Sequence, residues 1–248
     1  MSRWKAAAIH LGISAAIALA VLAIIYLVWY PAPYFTVMGG DRLVLLITGV
    51  DVVLGPLITL IIFRAGKKGL KFDLGVIAFL QATALAYGVS VVAQGRPVYL
   101  VYAVNRFNVV SAADLDRAEI DRVTNPEFRG LPWLGPKTVG VRRPADVKES
   151  NRIVFAMSEG KDLQHFPQHY VPYAEIAAEA GQKAQKIEVL KRINRDRAAE
   201  IDAFLAKRGL REEDAAFIPL RARRGDLAVI VKRTGEIQGL LDYDPWGY

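Results

Sequence analysis

Three long apolar runs, separated by short polar segments, dominate the first part of the chain. They cover about residues 6–30, 43–63 and 74–92, and each is close to the roughly 20 residues that a helix needs to cross a bilayer. Beyond the third run, shorter strand-like and helix-like patterns alternate, which is typical of an α+β domain. We therefore expect three transmembrane helices over 1–92 and a folded domain over 93–248.

The pattern of that domain begins with two β-rich runs, Pro97–Val104 and Asn108–Val110, which predict a hairpin. Ser111, followed by Asp114, favours the start of a helix of about ten residues. Loops are predicted at Pro126–Pro136 and Asp162–Pro172, and strands at Lys137–Arg142, Phe217–Leu220, Leu227–Val231 and Ile237–Leu241. Helices are predicted at Ala145–Glu159 and Tyr173–Arg208. The second helix is either continuous or interrupted at Gly181. Glycine-containing turns join the last three strands, so we expect an antiparallel sheet.

Basic residues near the ends of the apolar runs predict the orientation of the chain. Arg3 and Lys5 precede the first run, and the loop Arg64–Lys71 holds four Lys/Arg, whereas Arg42 is the basic residue of the link between the first two runs. Because cytoplasmic loops carry the excess of Lys and Arg, the N-terminus and the basic loop should be cytoplasmic. Residues 93–248 should then lie on the opposite side of the membrane.

Composition narrows the classes of function. The net charge is +7, with seven Lys/Arg against three Asp/Glu in residues 1–92 and 25 against 22 afterwards. The excess is concentrated around the apolar runs, so no nucleic-acid partner is expected. The absence of cysteine excludes disulfides, thiolate metal sites and cysteine nucleophiles. The first run ends in aromatic residues at positions 26, 29 and 30, which favours a retained anchor over a cleaved signal peptide.

Short sequence segments in both halves of the chain have the character of a known family. They are Gly49-Val50-Asp51 with Gly55-Pro56-Leu57, Phe72-Asp73-Leu74 with Gln81 and Ala86-Tyr87-Gly88, Arg96-Pro97-Val98-Tyr99 with Arg106-Phe107, and Asp244-Pro245-Trp246. In these segments the chain resembles the type IV pilin accessory protein family, of the TfpX/TfpZ type. The resemblance implies a bacterial inner-membrane protein with a periplasmic domain. It also implies a chaperone-like factor that binds or stabilises the type IV major pilin and supports pilus assembly or function. Further partners implied are other pilus-assembly membrane proteins and membrane lipid.

Asp51 is the strongest candidate for a binding residue. It lies near the middle of the second apolar run, where a carboxylate costs roughly 2.5–3.5 kcal/mol to insert. The polar side chains at matching depth in the third run are Gln81, Thr83 and Tyr87. Two interpretations stay open: a helix–helix hydrogen bond that holds the spans together, or a docking point for the helix of a pilin. Gly55 and Pro56 suit close helix approach in either case.

The remaining candidates lie outside the apolar runs. Arg96 follows the third run and Trp246 lies near the end of the sequence, and both are candidate partner-binding residues. His165 and His169 have the spacing of helical metal ligands, but Pro167 lies between them. We therefore expect no metal, no cofactor and no enzymatic activity. The alternative is a membrane-anchored periplasmic enzyme acting on the envelope or on pilin, which a cluster of buried acids or a metal pocket in residues 93–248 would favour.

Overall fold

The chain divides into a helical unit, residues 1–96, and a sheet-containing unit, residues 97–248. A computed structural model describes residues 2–247, without the side chains of residues 46, 47 and 50. The units meet between Arg96 and Pro97, where the last long helix ends and the first strand begins. Each unit is built from its own local patterns.

The helical unit is a small bundle. Its α-helices are α1 (Arg3–Ile24), α2 (Tyr34–Val37), α3 (Gly40–Thr48), α4 (Gly55–Ile62) and α5 (Leu70–Gly95). One π-helical turn, Ile25–Trp29, extends α1, and a second, Gly49–Leu54, joins α3 to α4. α1 packs against α4, and α5 packs against both α3 and α4.

In the part of this unit that the structure describes, two helical stretches are long and apolar enough to cross a membrane, Arg3–Trp29 and Leu70–Gly95. Only 11% of the apolar window in each is buried, whereas the core helix of a soluble protein would be mostly buried. The middle run is helical from Gly40 to Ile62 but passes through the π-turn. Its apolar helical stretch, Asp51–Ile62, is shorter than the other two. The three-span arrangement therefore stays a prediction.

Helix ends extend beyond the predicted apolar runs. α1 begins at Arg3, where the hydroxyl of Ser2 accepts a hydrogen bond from the backbone N–H of Lys5 at 3.2 Å. α5 covers Leu70–Gly95 and not only residues 74–92. Backbone hydrogen bonds continue through polar residues at helix ends, so apolar patterning marks the buried or lipid-facing part of a helix and not its full length.

A mixed, mostly antiparallel sheet organises the second unit. Its strands are β1 (Pro97–Ala103), β2 (Arg106–Ser111), β3 (Lys137–Val141), β4 (Tyr170–Pro172), β5 (Gln185–Lys186), β6 (Ala215–Arg221), β7 (Asp226–Lys232) and β8 (Ile237–Leu241). They follow the order β4-β3-β1-β2-β6-β7-β8, with β5 also paired to β6. The predicted hairpin and the predicted closing meander are confirmed. The predicted antiparallel sheet also contains two parallel pairs, β1–β3 and β2–β6, so the sheet is mixed.

Five α-helices accompany the sheet among the described residues. They are α6 (Arg117–Ile120), α7 (Val147–Met157), α8 (Ala177–Lys183), α9 (Ile187–Ile193) and α10 (Ala198–Lys207). The ten-residue helix predicted after Ser111 is only a 3₁₀ turn, Ala112–Asp114, with a complete capping box. The turn ends because Leu115 is extended and buries its side chain in the core.

The long helix predicted over Tyr173–Arg208 is also wrong. Ala184 is extended, with φ −67° and ψ 145°, and the next two residues form β5, which pairs with β6. Gly181 is not the break, since it lies inside α8. Sheet pairing between distant segments thus overrides a local helical pattern.

Among the described residues, the core of the sheet-containing unit consists of two larger apolar clusters and a small one of Ile153, Leu163 and Phe166. One combines β1 and β3 with α6 and the following loop; its fully buried members include Val98, Tyr99, Val101, Phe128 and Val139. The other packs α9 and α10 on β6 and β7; its fully buried members include Ile187, Leu190, Ile201, Phe217 and Ile230. The second cluster positions the end of the described chain, because Tyr243 belongs to it.

Candidate functional site

Asp51 lies inside the helical bundle. It is the third residue of the π-turn Gly49–Leu54, and it is only 7% exposed. The extra backbone residue of a π-turn shifts side chains around the helix, and such turns often occur at functional positions. Asp51 borders a cavity of about 10 Å³, whose other lining residues come from α1, α3 and α5: Ala18, Val21, Leu22, Ile25, Val44, Thr48 and Leu85. Within the described part of the chain, its Oδ1 atom has no hydrogen-bond partner.

Gln81 joins α5 to this turn. Its Nε2 atom donates a hydrogen bond to the main-chain oxygen of Asp51 at 3.3 Å. Gly55 makes room for that amide, since a Cβ atom there would lie 2.0 Å from Nε2 of Gln81. Pro56, next to Gly55, is also buried.

The other two polar residues of the third run lie elsewhere. Thr83 is exposed and donates its hydroxyl hydrogen bond to the carbonyl of Phe79 in its own helix, at 2.9 Å. Tyr87 is 73% exposed. The structure therefore brings Gln81, Gly55 and Pro56 to the Asp51 turn but leaves Thr83 and Tyr87 on the outer surface of α5.

Sequence reasoning missed a second polar contact in the bundle. Nδ1 of His10, in α1, lies 2.6 Å from the hydroxyl of Thr59, in α4, and Thr59 is buried. The signal was present, because an ionisable side chain within an apolar run is itself a candidate site.

Arg96 lies at the end of α5 and is buried. Its guanidinium donates a hydrogen bond to the carbonyl of Ala93 at 2.5 Å, and the hydroxyl of Tyr30 donates one to the carbonyl of Val92 at 3.0 Å. Carbonyl groups in the last turn of a helix have no partner within the helix, so side chains commonly satisfy them. These contacts secure the C-terminal end of α5 in the helical unit.

Trp246 belongs to a fixed turn in the second unit. The carboxylate of Asp244 accepts hydrogen bonds from the backbone N–H groups of Trp246 and Gly247 at 2.8 and 3.2 Å. The indole N–H of Trp246 donates to the carboxylate of Asp226 at 2.6 Å. Asn194 donates to the carbonyl of Asp244 and accepts from its N–H at 2.9 and 3.1 Å. The turn is therefore held to both α9 and β7.

A pair of acids, Glu119 and Glu149, comes together beside Arg152. The guanidinium of Arg152 lies 2.6 Å from a carboxylate oxygen of each acid. Their side chains are 12% and 14% exposed. Sequence reasoning did not predict this cluster, because helix α6, helix α7 and the segment around residue 168 meet only through tertiary packing.

Both acids of this cluster are held in the ionised form. Hydrogen bonds from Arg152 lower the pKa of Glu149 well below its usual range, and His169 and Gln168 add to the effect. Burial alone would raise the pKa of Glu119, but hydrogen bonds from Arg152 and Gln168 outweigh it and lower that pKa. A carboxylate that is ionised and fully paired is unsuited to act as a general acid. The cluster has the character of a structural ion-pair network.

His165 and His169 have separate contacts. The Nδ1 atom of His165 accepts a hydrogen bond from the N–H of Asp162 at 2.9 Å, and burial lowers the pKa of this histidine. The Nε2 atom of His169 lies 3.1 Å from a carboxylate oxygen of Glu149. No group of three or more metal-ligating side chains occurs among residues 2–247. That no metal is bound stays a prediction.

The sequence has relatives along nearly its whole length. A family model described as fimbrial assembly protein FimB matches residues 1–39. A fimbrial assembly protein of serogroup E1 from Dichelobacter nodosus is 30% identical over 97% of this chain and 95% of the relative. The chain belongs to the FimB family of fimbrial assembly proteins. The FimB match covers α1 and α2, and therefore includes His10.

Further FimB-family relatives come from the same organism. The serogroup I protein is also 30% identical over 97% of this chain and 95% of its own length. The protein of serogroups C1 and C2 is 35% identical over 45% of this chain and 86% of its own length. No solved structure gives a significant match.

Proposed function

We propose that this FimB-family protein is a non-enzymatic membrane factor that binds or stabilises type IV pilin during fimbrial assembly. The observation that carries the proposal is the relationship to fimbrial assembly proteins over 97% of the chain. The two long helices with outward-facing apolar side chains support the membrane location. The narrower TfpX/TfpZ placement rests on the resemblance alone.

In the proposed arrangement, the middle helical run also crosses the inner membrane, so that three spans connect a cytoplasmic N-terminus to a periplasmic domain. The basic residues at Arg3, Lys5 and Arg64–Lys71 support this orientation. Their side chains would remain in the cytoplasm next to anionic lipid head groups.

Two groups of candidate residues have different roles in this proposal. Asp51, Gln81, Gly55 and Pro56 lie inside the bundle, where they hold α5 against the π-turn. Thr83 and Tyr87 lie on the exposed side of α5, where an apolar helix of a pilin would reach them. The interior contacts thus keep the shape of an outer surface that binds the partner. This division favours a structural role for Asp51 over direct docking.

The enzyme alternative has weaker support. The arrangement nearest to a catalytic acid pair is Glu119 with Glu149, where Arg152 pairs with both carboxylates and Arg122 pairs with Glu149 as well. A hydrolase acting on the envelope would need one of these carboxyls to carry or accept a proton during the reaction.

Photo-crosslinking in intact cells tests the proposal. A photoreactive residue replaces Tyr87 in one variant and Leu19, a 65% exposed residue of α1, in a matched control. We expect pilin crosslinks from position 87 and few from position 19, together with fewer fimbriae in a strain that lacks the protein. Normal fimbriation without the protein would refute the function, whereas fimbriation that needs the protein but gives no pilin crosslink from α5 would refute only the binding surface.

A further inference from the structure

A pocket of about 730 Å³ lies beside the turn that contains Trp246. One wall is α9 with the segment that follows it, and the other is the turn itself; the lining residues are Gln185, Val189, Arg192, Ile193, Arg195, Asp196, Asp244, Pro245, Trp246 and Gly247. This volume falls in the range of natural ligand sites. The proposed function above uses none of these residues, although the sequence had made Trp246 a candidate partner-binding residue.

The two walls are held at a fixed separation. Asn194 is only 9% exposed and follows the last residue of α9. Its side-chain amide donates hydrogen bonds to the carbonyl of Leu190 at 3.0 Å and to the carbonyl of Asp244, and it accepts one from the N–H of Asp244. Pro245 is buried, and Trp246 is tied to Asp226. Because a single amide side chain joins both walls, the pocket is formed before any ligand arrives.

The charges in the pocket favour an anionic group. Arg192 and Arg195 are exposed, and neither forms an ion pair with any residue in the described part of the chain. Most other arginines of the unit are paired with acids or packed on aromatic rings. Of the two lining acids, Asp244 already accepts two backbone hydrogen bonds from its own turn, and Asp196 is exposed.

Apolar surface lies next to these guanidinium groups. Val189, Ile193 and Pro245 contribute aliphatic surface, and the indole of Trp246 completes the wall. Arginine binds carboxylates through two parallel hydrogen bonds, which gives both strength and orientation. A ligand that places one apolar side chain between two carboxylates would match the pocket in charge and in surface.

We infer that the pocket binds a short extended segment of a partner protein in which two acidic residues flank an apolar one. The carboxylates would pair with Arg192 and Arg195, and the apolar side chain would pack against Pro245 and Trp246. Asp196 repels a densely charged polyanion, which disfavours nucleic acid and acidic polysaccharide. The inference concerns ligand chemistry and does not depend on which protein supplies the segment.

The test measures binding of labelled peptides to the full-length protein in a non-ionic detergent. The probe is a Gly/Ser-rich peptide with a central Glu-Leu-Glu, and its control carries Gln-Leu-Gln at the same place. We expect the Glu-Leu-Glu peptide to bind, and the Arg192→Gln, Arg195→Gln double variant to bind it about tenfold more weakly or less. The variant Lys148→Gln, Lys207→Gln is the matched control, since both lysines are exposed and lie outside the pocket. Replacing them lowers the net charge by the same amount as the arginine double variant does.

Three outcomes would overturn the inference. One is equal binding of the two peptides, and another is an equal loss with both double variants, which would indicate a general charge effect. The third concerns vesicles that contain phosphatidylglycerol. If the arginine double variant loses binding to these vesicles but still binds the peptide normally, the pocket binds lipid. Asn194→Ala provides an independent check, because it releases the turn while keeping both arginines, and it should also weaken Glu-Leu-Glu binding if the protein keeps its far-ultraviolet circular dichroism.

Discussion

At the scale of single residues, Asp51 is best explained as an internal tie of the helical unit. Its side chain faces a cavity too small for a helix, and its main-chain oxygen accepts the hydrogen bond from Gln81. Hydrogen bonds between membrane helices contribute only about 0.6–2 kcal/mol each. We therefore expect the residue to shape the bundle without dominating its stability.

Substitution of Asp51 separates the structural role from direct docking. Asp51→Asn should be mild, because an amide still forms hydrogen bonds and is less costly to bury. Asp51→Leu keeps the main-chain hydrogen bond to Gln81 but places a larger side chain beside a cavity of only about 10 Å³. It should therefore lower the thermal stability in detergent and the number of fimbriae together, by roughly 1–3 kcal/mol. Gln81→Leu, which removes the partner in α5, should have a similar effect. If Asp51→Leu instead leaves the protein stable and abundant while pilin crosslinking is lost, Asp51 docks pilin directly.

The ion-pair network around Arg152 predicts a dependence of stability on pH. The pKa of Glu149 is lower in the folded protein than in the unfolded chain, so this group stabilises the fold above the ordinary glutamate pKa of about 4.3. That contribution should be lost as the pH falls below this value toward the folded-state pKa. The free energy of unfolding, measured by denaturation at several pH values between 7 and 3, tests this expectation.

Removing the cation tests the same network. Arg152→Met should lower the free energy of unfolding at pH 7 by roughly 3 kcal/mol, because partly buried Glu119 loses its cation and Glu149 keeps only Arg122. The remaining dependence on acid pH should be weaker. Arg117→Met, in an exposed pair with Asp121, is the control and should change stability by less than about 1 kcal/mol. Equal effects of the two substitutions would contradict the structural role of Arg152.

At the scale of elements, the contact between α8 and the β7–β8 turn requires glycine on both sides. A Cβ atom at Gly181 would lie 2.3 Å from the carbonyl oxygen of Arg233 and 2.6 Å from the backbone nitrogen of Gly235. Gly235 has φ +86°, and a Cβ atom there would lie 1.7 Å from the carbonyl oxygen of Ala177. This close approach, and not a helix break, explains the glycine in α8.

Gly181→Ala should therefore destabilise the protein despite the better helix propensity of alanine. The expected loss is roughly 1–3 kcal/mol, since backbone atoms must move to accept the methyl group, against a gain of at most about 1 kcal/mol in propensity. Gly130→Ala is the matched control, because a Cβ atom there meets nothing within 4 Å. Thermal denaturation of both variants measures the difference in stability. Equal melting temperatures would contradict the prediction that the contact requires glycine at position 181.

At the scale of the whole molecule, the proposed topology places the helical unit within the inner membrane and the sheet-containing unit in the periplasm. The absence of cysteine makes a direct test possible, since a single introduced cysteine would be the only target of a maleimide. Lys68→Cys should react with a membrane-impermeant maleimide only after cell disruption, whereas Lys207→Cys should react in intact cells whose outer membrane is permeabilised. The reverse pattern would invert the topology.

The sequence by itself determined the features that depend on local patterns. Apolar length predicted the long helices α1 and α5, and alternation with turn residues predicted the β1–β2 hairpin and the β6–β7–β8 meander. The segments that carried the family resemblance include the Asp51 turn and the Trp246 turn. Family membership followed from full-length relationship, although the resemblance had already indicated pilin accessory proteins.

Only the tertiary structure decided which distant residues meet. The parallel pairs β1–β3 and β2–β6, the division of Tyr173–Arg208 by β5, and the cluster around Arg152 all join segments far apart in the chain. The same is true of the His10–Thr59 contact and of the pocket that Asn194 holds open beside Trp246. Periodicity reports the environment of one element, whereas pairing and packing depend on free energies shared between elements, so no local pattern contains them.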